Sequence, residues 1–214
     1  MSIEAIIFDF DGVLVESVAI KGQAFGALYE DQGEEFQQQV IAYHESHGGV
    51  SRFKKIRYFE EELLGRKVSE EEVEIIASRF SAIVEDKVVT CSPVAGALEF
   101  LKDFNTRLPL FVASATPTEE LKRIVSKRSM SGFFKGVYGS PASKGENIKS
   151  ILTAFQYDPD RTLMIGDTMS DYRGAQEAGT KFLGRVPPEE DSPFPEGTKT
   201  IPDLTFLARA LDDF

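Results

Sequence analysis

The sequence predicts an α/β fold in which a doubly wound parallel sheet carries a small all-helical cap, inserted after the first strand. Short and nearly unbroken apolar runs at Ala5–Phe8, Leu108–Ala113 and Leu163–Ile165 are typical of strands that are buried on both faces. Helical patterns separate the later runs, as parallel strands require. Between residues 17 and 89 the pattern is helical, and we predict no strand there.

The later part of the chain alternates between helical and extended patterns. Helices are predicted at Ala95–Phe104, Thr118–Ser129, Gly145–Phe155 and Asp171–Ala178. Three shorter strands are predicted at Gly136–Tyr138, Lys181–Leu183 and Thr200–Ile201. This alternation indicates that helices cover both faces of the sheet.

The inserted segment contains four helical patterns, at Val18–Asp31, Glu34–His47, Ser51–Leu64 and Ser69–Asp86. The last begins with a predicted capping box, in which Ser69 and Glu72 satisfy each other's backbone N–H groups. We therefore expect a discontinuous α/β core domain, residues 1–16 and 90–214, and a helical cap, residues 17–89.

Composition excludes several classes of partner. Thirty-five acidic residues against 24 basic ones give a net charge of −11, which argues against duplex nucleic acid and anionic membrane surfaces. The single cysteine, Cys91, cannot form an intramolecular disulfide. The chain starts without a basic leader and contains no apolar run of about 18 residues. We expect a cytoplasmic protein, with a monomer as the default.

Two carboxylates directly follow the first predicted strand. Asp9 and Asp11 are two residues apart, so an extended backbone points them to the same side, and Gly12 follows them. At about 4 Å and an effective dielectric constant of about 20, two such charges repel by about 4 kcal/mol. A cation or a proton must offset that cost, so this strand end is a candidate metal and catalytic site.

Polar residues also follow, or lie close to, other predicted strands. Ser114 and Thr116 come directly after one strand, Lys144 precedes a helix, and Asp167 and Asp171 follow a third strand. The carboxyl ends of parallel strands share one crevice. Carboxylates gathered there favour Mg²⁺, and no Cys/His set at zinc spacing competes. A hydroxyl and a free helix N-terminus after the second strand, where we predict Thr116 as the N-cap, are suited to binding phosphate. This inventory describes phosphoryl transfer to a carboxylate.

The order of these residues resembles a known family. The four motifs of haloacid dehalogenase superfamily phosphatases are similar to Asp9-x-Asp11-Gly12, Ser114, Lys144 and Gly166-Asp167-x-x-x-Asp171. The helical insert resembles the cap shared by phosphoglycolate phosphatase and β-phosphoglucomutase. Because the haloalkanoic dehalogenases lack the second aspartate, Asp11 points away from carbon–halogen chemistry.

The resemblance implies roles for the acids. Asp9 would attack phosphorus, and Asp11 would protonate the leaving alcohol and then activate water. Mg²⁺ would be held by the Asp9 carboxylate, the Asp11 carbonyl and Asp167, while Asp171 would orient the metal shell and pair with Lys144.

The resemblance also implies a phosphate site, in which Ser114 and the Ala115 N–H hold the transferring group and Lys144 neutralises its charge. The alternatives are ordinary ones: an Asx-type turn for the aspartates, helix capping for the serine and a solvated lysine.

The cap contains three candidate substrate residues. The segment Gly49-Val50-Ser51-Arg52 resembles the cap loop of β-phosphoglucomutase, whose arginine binds the distal phosphate of the substrate. Lys55 shares a helical face with Arg52. Lys21 stands roughly where that mutase has a histidine, which weakens a mutase assignment. For these residues the alternative is an ordinary solvated side chain, which is the usual environment of a charged residue.

Together these features predict a Mg²⁺-dependent phosphatase that acts on a small phosphorylated metabolite, similar to phosphoglycolate or a sugar phosphate, through an aspartyl-phosphate. The alternatives are a phosphosugar mutase of the β-phosphoglucomutase type and a non-catalytic binding protein on the same scaffold. The substrate is not predictable, because it depends on cap geometry rather than on the fold.

Overall fold

A computed structural model describes residues 2–214 and contains one six-stranded parallel sheet in that range. Its strands are β1 (Ala5–Phe8), β2 (Leu110–Pro117), β3 (Gly136–Ser140), β4 (Thr162–Gly166), β5 (Lys181–Arg185) and β6 (Thr200–Ile201). They lie in the order β3-β2-β1-β4-β5-β6, so the chain leaves β1 first towards one edge and later towards the other. This reversal opens a crevice at the carboxyl end of β1.

The segment between β1 and β2 is helical, which confirms the predicted insertion of a cap after the first strand. It contains α1 (Val18–Leu28), α2 (Glu34–Ser46), α3 (Arg52–Tyr58), a π-helical turn (Phe59–Leu63) and α4 (Glu70–Thr90). The predicted capping box opens α4, with the Ser69 N–H donating to Glu72 Oε2 at 2.8 Å and the Glu72 N–H donating to Ser69 Oγ at 3.2 Å.

The remaining helices cover the sheet and confirm the predicted α/β alternation. They are α5 (Ala97–Phe104), α6 (Thr118–Lys127), α7 (Lys144–Phe155), α8 (Met169–Ala178) and a short α9 (Leu207–Ala210). The second strand is longer than expected, because the polar residues after Ala113 stay extended as far as Pro117.

The side chains of β1 divide the core into two layers. Ile6 and Phe8 belong to one hydrophobic cluster, which continues into the cap, while Ala5 and Ile7 belong to a second cluster under α7 and α8. All four side chains are fully buried. Because successive side chains of a strand point to opposite faces of the sheet, both faces of β1 are covered. Because β1 is buried on both faces, it ends where the polar residues begin, directly after Phe8.

Register aligns the ends of the central strands. Phe8 of β1 lies beside Val112 of β2 and Ile165 of β4. The residues that follow these positions therefore meet at one edge of the sheet. Within residues 2–214, no helix combines the length and the low polarity that crossing a bilayer requires.

Candidate active site

The carboxyl ends of β1 and β4 bring three aspartates together. Asp9, Asp167 and Asp171 each offer a carboxylate oxygen, and these oxygens lie within 4.8 Å of one another. The backbone N–H of Asp9 donates to the carbonyl of Ile165 at 2.8 Å, which ties the two strands together at this point. Asp9 and Asp171 are buried and Asp167 is half-buried. The structure thus assembles acids that are more than 150 residues apart.

The ammonium group of one lysine contacts two of these aspartates. Lys144, the first residue of α7, places Nζ 2.8 Å from Asp9 Oδ1 and also donates to Asp171. Burial opposes its charge, but the carboxylates of Asp171 and Asp9 raise the pKa of Lys144 above its ordinary value. Because three carboxylates face one ammonium, the cluster keeps an excess of negative charge.

Burial and the excess of negative charge raise the pKa values of two of these aspartates. Burial raises the pKa of Asp9 to about 7; Lys144 opposes this shift, while Asp171 and Asp11 add to it. Burial, together with the charges of Asp9 and Asp171, raises the pKa of Asp167 well above its ordinary range. In addition, the buried Asp167 Oδ1 has no hydrogen-bond partner among residues 2–214.

These observations fit a divalent cation. A metal ion would satisfy the unpartnered Asp167 oxygen and offset the repulsion among the carboxylates. Oxygen-only ligands are the donor set of hard cations. The three aspartates could therefore hold a metal ion.

Gly12 makes room for Asp167. It lies in the left-handed region, with φ of +74°, and a Cβ at this position would stand 2.0 Å from Asp167 Oδ2. Only glycine combines this backbone conformation with so close an approach. The glycine that follows the two aspartates in sequence thus shapes the acidic cluster.

Asp11 lies in a different environment. Its carboxylate accepts hydrogen bonds from Lys21 Nζ and Ser17 Oγ, both at 2.5 Å, and from Thr116 Oγ1 at 3.1 Å. Burial opposes ionisation, but Lys21 and the two hydroxyls lower the pKa of Asp11 below its ordinary value. Asp11 is therefore ionised at neutral pH in this arrangement.

The residues after β2 differ from expectation in one respect. We predicted Thr116 as the N-cap of the next helix, but the N-cap is Pro117, with no capping by a side chain. The Thr116 hydroxyl instead accepts from Lys21 Nζ at 2.8 Å and donates to Asp11, because β2 stays extended as far as Pro117. Ser114 Oγ lies 3.5 Å from Asp11 Oδ2, so the predicted phosphate-binding hydroxyl does lie beside the acids.

A cavity of about 820 Å³ lies between the cap and these strand ends. The core contributes Asp9, Asp11, Ala115, Thr116 and Asp167 to its wall. The cap contributes Lys21, Phe25, His44, Arg52, Lys55 and Phe80. The three cap residues that we singled out in the sequence therefore reach the same cavity as the acids.

Arg52 has a partner that the sequence did not reveal. Its guanidinium forms a bidentate ion pair with Glu120 of α6, at 2.7 Å and 2.6 Å, and both side chains are only 4% exposed. It also donates to Ser81 Oγ at 2.5 Å and lies over the ring of Phe80. Arg52 thus links two cap helices, α3 and α4, to the core.

Glu120 gave no signal in the sequence. An acid in the first turn of a helix is common, because the helix dipole favours it there. The pairing became visible only when the cap was placed against α6. The prediction that Arg52 contacts substrate stays a prediction, and in this arrangement its donors are directed to Glu120 and Ser81.

Comparison with known proteins agrees with this geometry. The family model of haloacid dehalogenase-like hydrolases matches residues 6–185. The chain belongs to this family. The resemblance found in the sequence is thereby confirmed, and the four motifs that carry it lie inside the matched range.

Two curated relatives of this hydrolase cover most of the chain. A phosphoglycolate phosphatase of Aquifex aeolicus is 28% identical over 185 residues, which are 82% of this chain and 81% of the relative. A phosphorylated carbohydrates phosphatase of Thermotoga maritima is 24% identical over 190 residues, 84% of this chain and 83% of the relative.

Among solved structures, CbbY from Rhodobacter sphaeroides in complex with phosphate superposes with a TM-score of 0.76. The alignment covers 99% of this chain and 100% of that one, at 15% identity. At this identity the likeness supports the fold alone. The cap and the core of the hydrolase both lie within the aligned range.

Replacing Gly12 by alanine tests the approach to Asp167. We expect Gly12→Ala to lower the free energy of unfolding by about 1–2 kcal/mol, because the left-handed conformation is strained for alanine. The added methyl group must also displace Asp167, so divalent-cation affinity should fall. Urea unfolding and isothermal titration measure the two effects.

The matched control is Gly132→Ala, where an added Cβ has no neighbour within 4 Å. It should leave both quantities unchanged. Wild-type stability and metal affinity in Gly12→Ala would contradict this role for Gly12.

Breaking the Arg52–Glu120 pair tests the link between cap and core. Arg52→Ala leaves a buried carboxylate without its cation, so we expect a loss of about 3–5 kcal/mol in the free energy of unfolding. Arg123→Ala removes a half-exposed ion pair with Glu85 and should cost at most about 1 kcal/mol. Equal losses in the two variants, measured by urea unfolding, would show that the buried pair does not hold the cap.

Proposed function

We propose that this hydrolase is a Mg²⁺-dependent phosphatase that acts on a small phosphorylated metabolite through an aspartyl-phosphate. The observation that carries the proposal is the placement of Asp9, a buried carboxylate in contact with Lys144, at the wall of a cavity shared with the cap. The two relatives described above are a phosphoglycolate phosphatase and a phosphorylated carbohydrates phosphatase, which supports phosphate esters of these kinds as substrates.

Asp9 is the proposed nucleophile. Its Oδ1 accepts from the backbone N–H of Phe10 at 2.6 Å and contacts Lys144 Nζ at 2.8 Å. Within residues 2–214, no hydrogen bond to Oδ2 competes for that oxygen. Oδ2 would form the new bond to phosphorus while the bond between phosphorus and the leaving oxygen breaks. The contacts to Oδ1 would fix the carboxylate in one orientation for this attack.

Asp11 is the proposed acid and base. In the first step Asp11 would need to be protonated; it would deliver that proton to the leaving oxygen and become a carboxylate. In the second step it would remove a proton from water, which attacks phosphorus and breaks the bond to Asp9. The ionised form described above suits this second step.

The remaining groups would stabilise charge. Ser114 and the Ala115 N–H would hold the phosphoryl oxygens, and Lys144 would neutralise charge that develops on them. Asp9, Asp167 and the Asp11 carbonyl would hold Mg²⁺, with Asp171 orienting the site. When bound, the ion would offset carboxylate charge and polarise the phosphoryl group.

Asp9→Asn should abolish turnover. Loss of a nucleophile typically costs several orders of magnitude, so we expect phosphate release to fall by at least about 10³-fold. The metal-free variant should keep or exceed the wild-type Tm, because one of the crowded charges is gone.

Phosphate release from a panel of sugar phosphates, phosphoglycolate and nucleotides measures this, with the exposed Asp103→Asn as control. Activity above about 1% of wild type in Asp9→Asn would refute the nucleophile assignment. Formation of an isomer that depends on a sugar bisphosphate, without net phosphate release, would identify a mutase instead.

Metal removal tests the cofactor. EDTA should stop phosphate release and Mg²⁺ should restore it. Because a ligand that binds only the folded state stabilises it, Mg²⁺ at 100 times its Kd should add about 2.7 kcal/mol to the free energy of unfolding.

In Asp167→Asn, Mg²⁺ should neither restore phosphate release nor raise the free energy of unfolding. Without metal, this variant should be more stable than the wild type, because the substitution relieves the repulsion among the carboxylates. Turnover that ignores chelation would exclude the metal assignment, whatever the effect of the substitution on Tm.

A further inference from the structure

Four basic side chains line the cavity, and three of them have a carboxylate partner. The ion pairs are Lys21 with Asp11 at 2.5 Å, Arg52 with Glu120 at 2.6 Å and Arg185 with Glu16 at 2.9 Å. Lys55 is the exception, since no carboxylate oxygen in residues 2–214 lies within 4.0 Å of its ammonium. The cavity wall thus contains one basic group that lacks an anion.

Lys55 is also deeply buried, with only 2% of its surface exposed. Its Nζ lies 3.0 Å from His44 Nδ1 and 3.2 Å from the His44 carbonyl, both on α2. Burial lowers the pKa of His44 to about 3, so its imidazole is a neutral acceptor. An ammonium has three donors, and these two contacts leave one of them free.

A buried ammonium with only neutral acceptors is costly. Burial, with the nearby Lys21 charge, lowers the pKa of Lys55 to about 7. Removing a charge from water without an opposite charge carries a penalty of several kcal/mol, and an anion delivered to the site would offset it. The surroundings, which include the rings of Phe25 and Phe80, keep the local dielectric low and would strengthen such a contact.

We propose that Lys55 binds a second anionic group of the substrate, remote from the transferring phosphate. This rests on the proposed phosphatase function and narrows its substrate class to phosphate esters that carry a further carboxylate or phosphate. Lys55 and Asp9 line the same cavity, one from the cap and the other from the core. A substrate held at both ends would therefore bridge the two parts of the enzyme.

The geometry assigns this role to Lys55 rather than to Arg52. The Arg52 guanidinium already forms two hydrogen bonds to Glu120 and one to Ser81. A substrate anion at Arg52 would have to compete with a buried carboxylate. At Lys55 no carboxylate of residues 2–214 lies within 4.0 Å of the ammonium to compete with it.

A purely structural role for Lys55 makes a different prediction. Its contact with the His44 carbonyl lies in the last turn of α2, where a cation is favourable to the helix dipole. In that case Lys55 would affect folding, and it would not distinguish between ligands with one and with two anionic groups.

Phosphonates, which are not hydrolysed, separate the two roles by direct binding. Isothermal titration in Mg²⁺ would compare methylphosphonate, phosphonoacetate and methylenediphosphonate. In the wild type we expect the second anionic group to tighten binding by about 10- to 100-fold, the range of a hydrogen bond to a charged group. A larger gain for phosphonoacetate would indicate a carboxylate, and a larger gain for methylenediphosphonate a second phosphate.

Lys55→Met should remove this gain and leave methylphosphonate affinity unchanged, whereas the matched control Lys54→Met, at an exposed neighbouring position, should keep it. Chelation of Mg²⁺ by a given ligand is the same for every variant, so it cancels when the gain is compared between the wild type and the variants. Lys55→Gln provides a second variant if the methionine variant does not fold.

Two results would overturn the proposal: equal wild-type affinity for all three phosphonates, or an unchanged gain after Lys55 is replaced. The proposed function is tested separately. If the gain depends on Lys55 but no ester in the panel releases phosphate, the binding site stands and the phosphatase assignment fails.

Discussion

Three carboxylates share one ammonium at the ends of β1 and β4, and the rest of the site depends on this imbalance. Lys144 contacts Asp9 and Asp171, while a buried oxygen of Asp167 has no hydrogen-bond partner in the described part of the chain. Repulsion and burial raise the pKa values of Asp9 and Asp167. A divalent cation bound there would relieve the repulsion, and in the proposed reaction it would also offset the charge of the phosphoryl group.

The cap adds a second electrostatic layer, and its basic residues do different things. Lys21 lowers the pKa of Asp11, and Arg52 ties the cap to α6 through Glu120. Lys55 is buried, and no carboxylate oxygen in residues 2–214 lies within 4.0 Å of its ammonium. Lys21 thus lowers the pKa of the proposed acid and base, Arg52 links the cap to the core, and Lys55 is the proposed contact for the substrate. Substrate specificity in this enzyme would then depend on Lys55 rather than on Arg52, the residue to which the family resemblance assigned the substrate contact.

The sequence was sufficient for the fold class and the family, because both depend on local patterns. Unbroken apolar runs such as Ala5–Phe8 and polar residues at strand ends are visible without coordinates. The Arg52–Glu120 pair, the Lys55–His44 contact and the Thr116 hydroxyl bonds were not predictable. Long side chains select partners across the cap–core boundary, and that choice depends on rotamers and relative placement that no local pattern encodes. The domain boundaries at residues 17–89 and the chemical role of each site residue stay predictions.

The central claim is that Asp9 accepts the phosphoryl group, and chemical trapping tests it most directly. Acid quenching during turnover preserves an acyl phosphate, and borohydride reduces an aspartyl-phosphate to homoserine at the modified position. Peptide mass spectrometry then locates the homoserine. The account predicts homoserine at residue 9 and unmodified aspartate at residues 11, 167 and 171. Homoserine at any of those three positions, or at none while phosphate is being released, would contradict it.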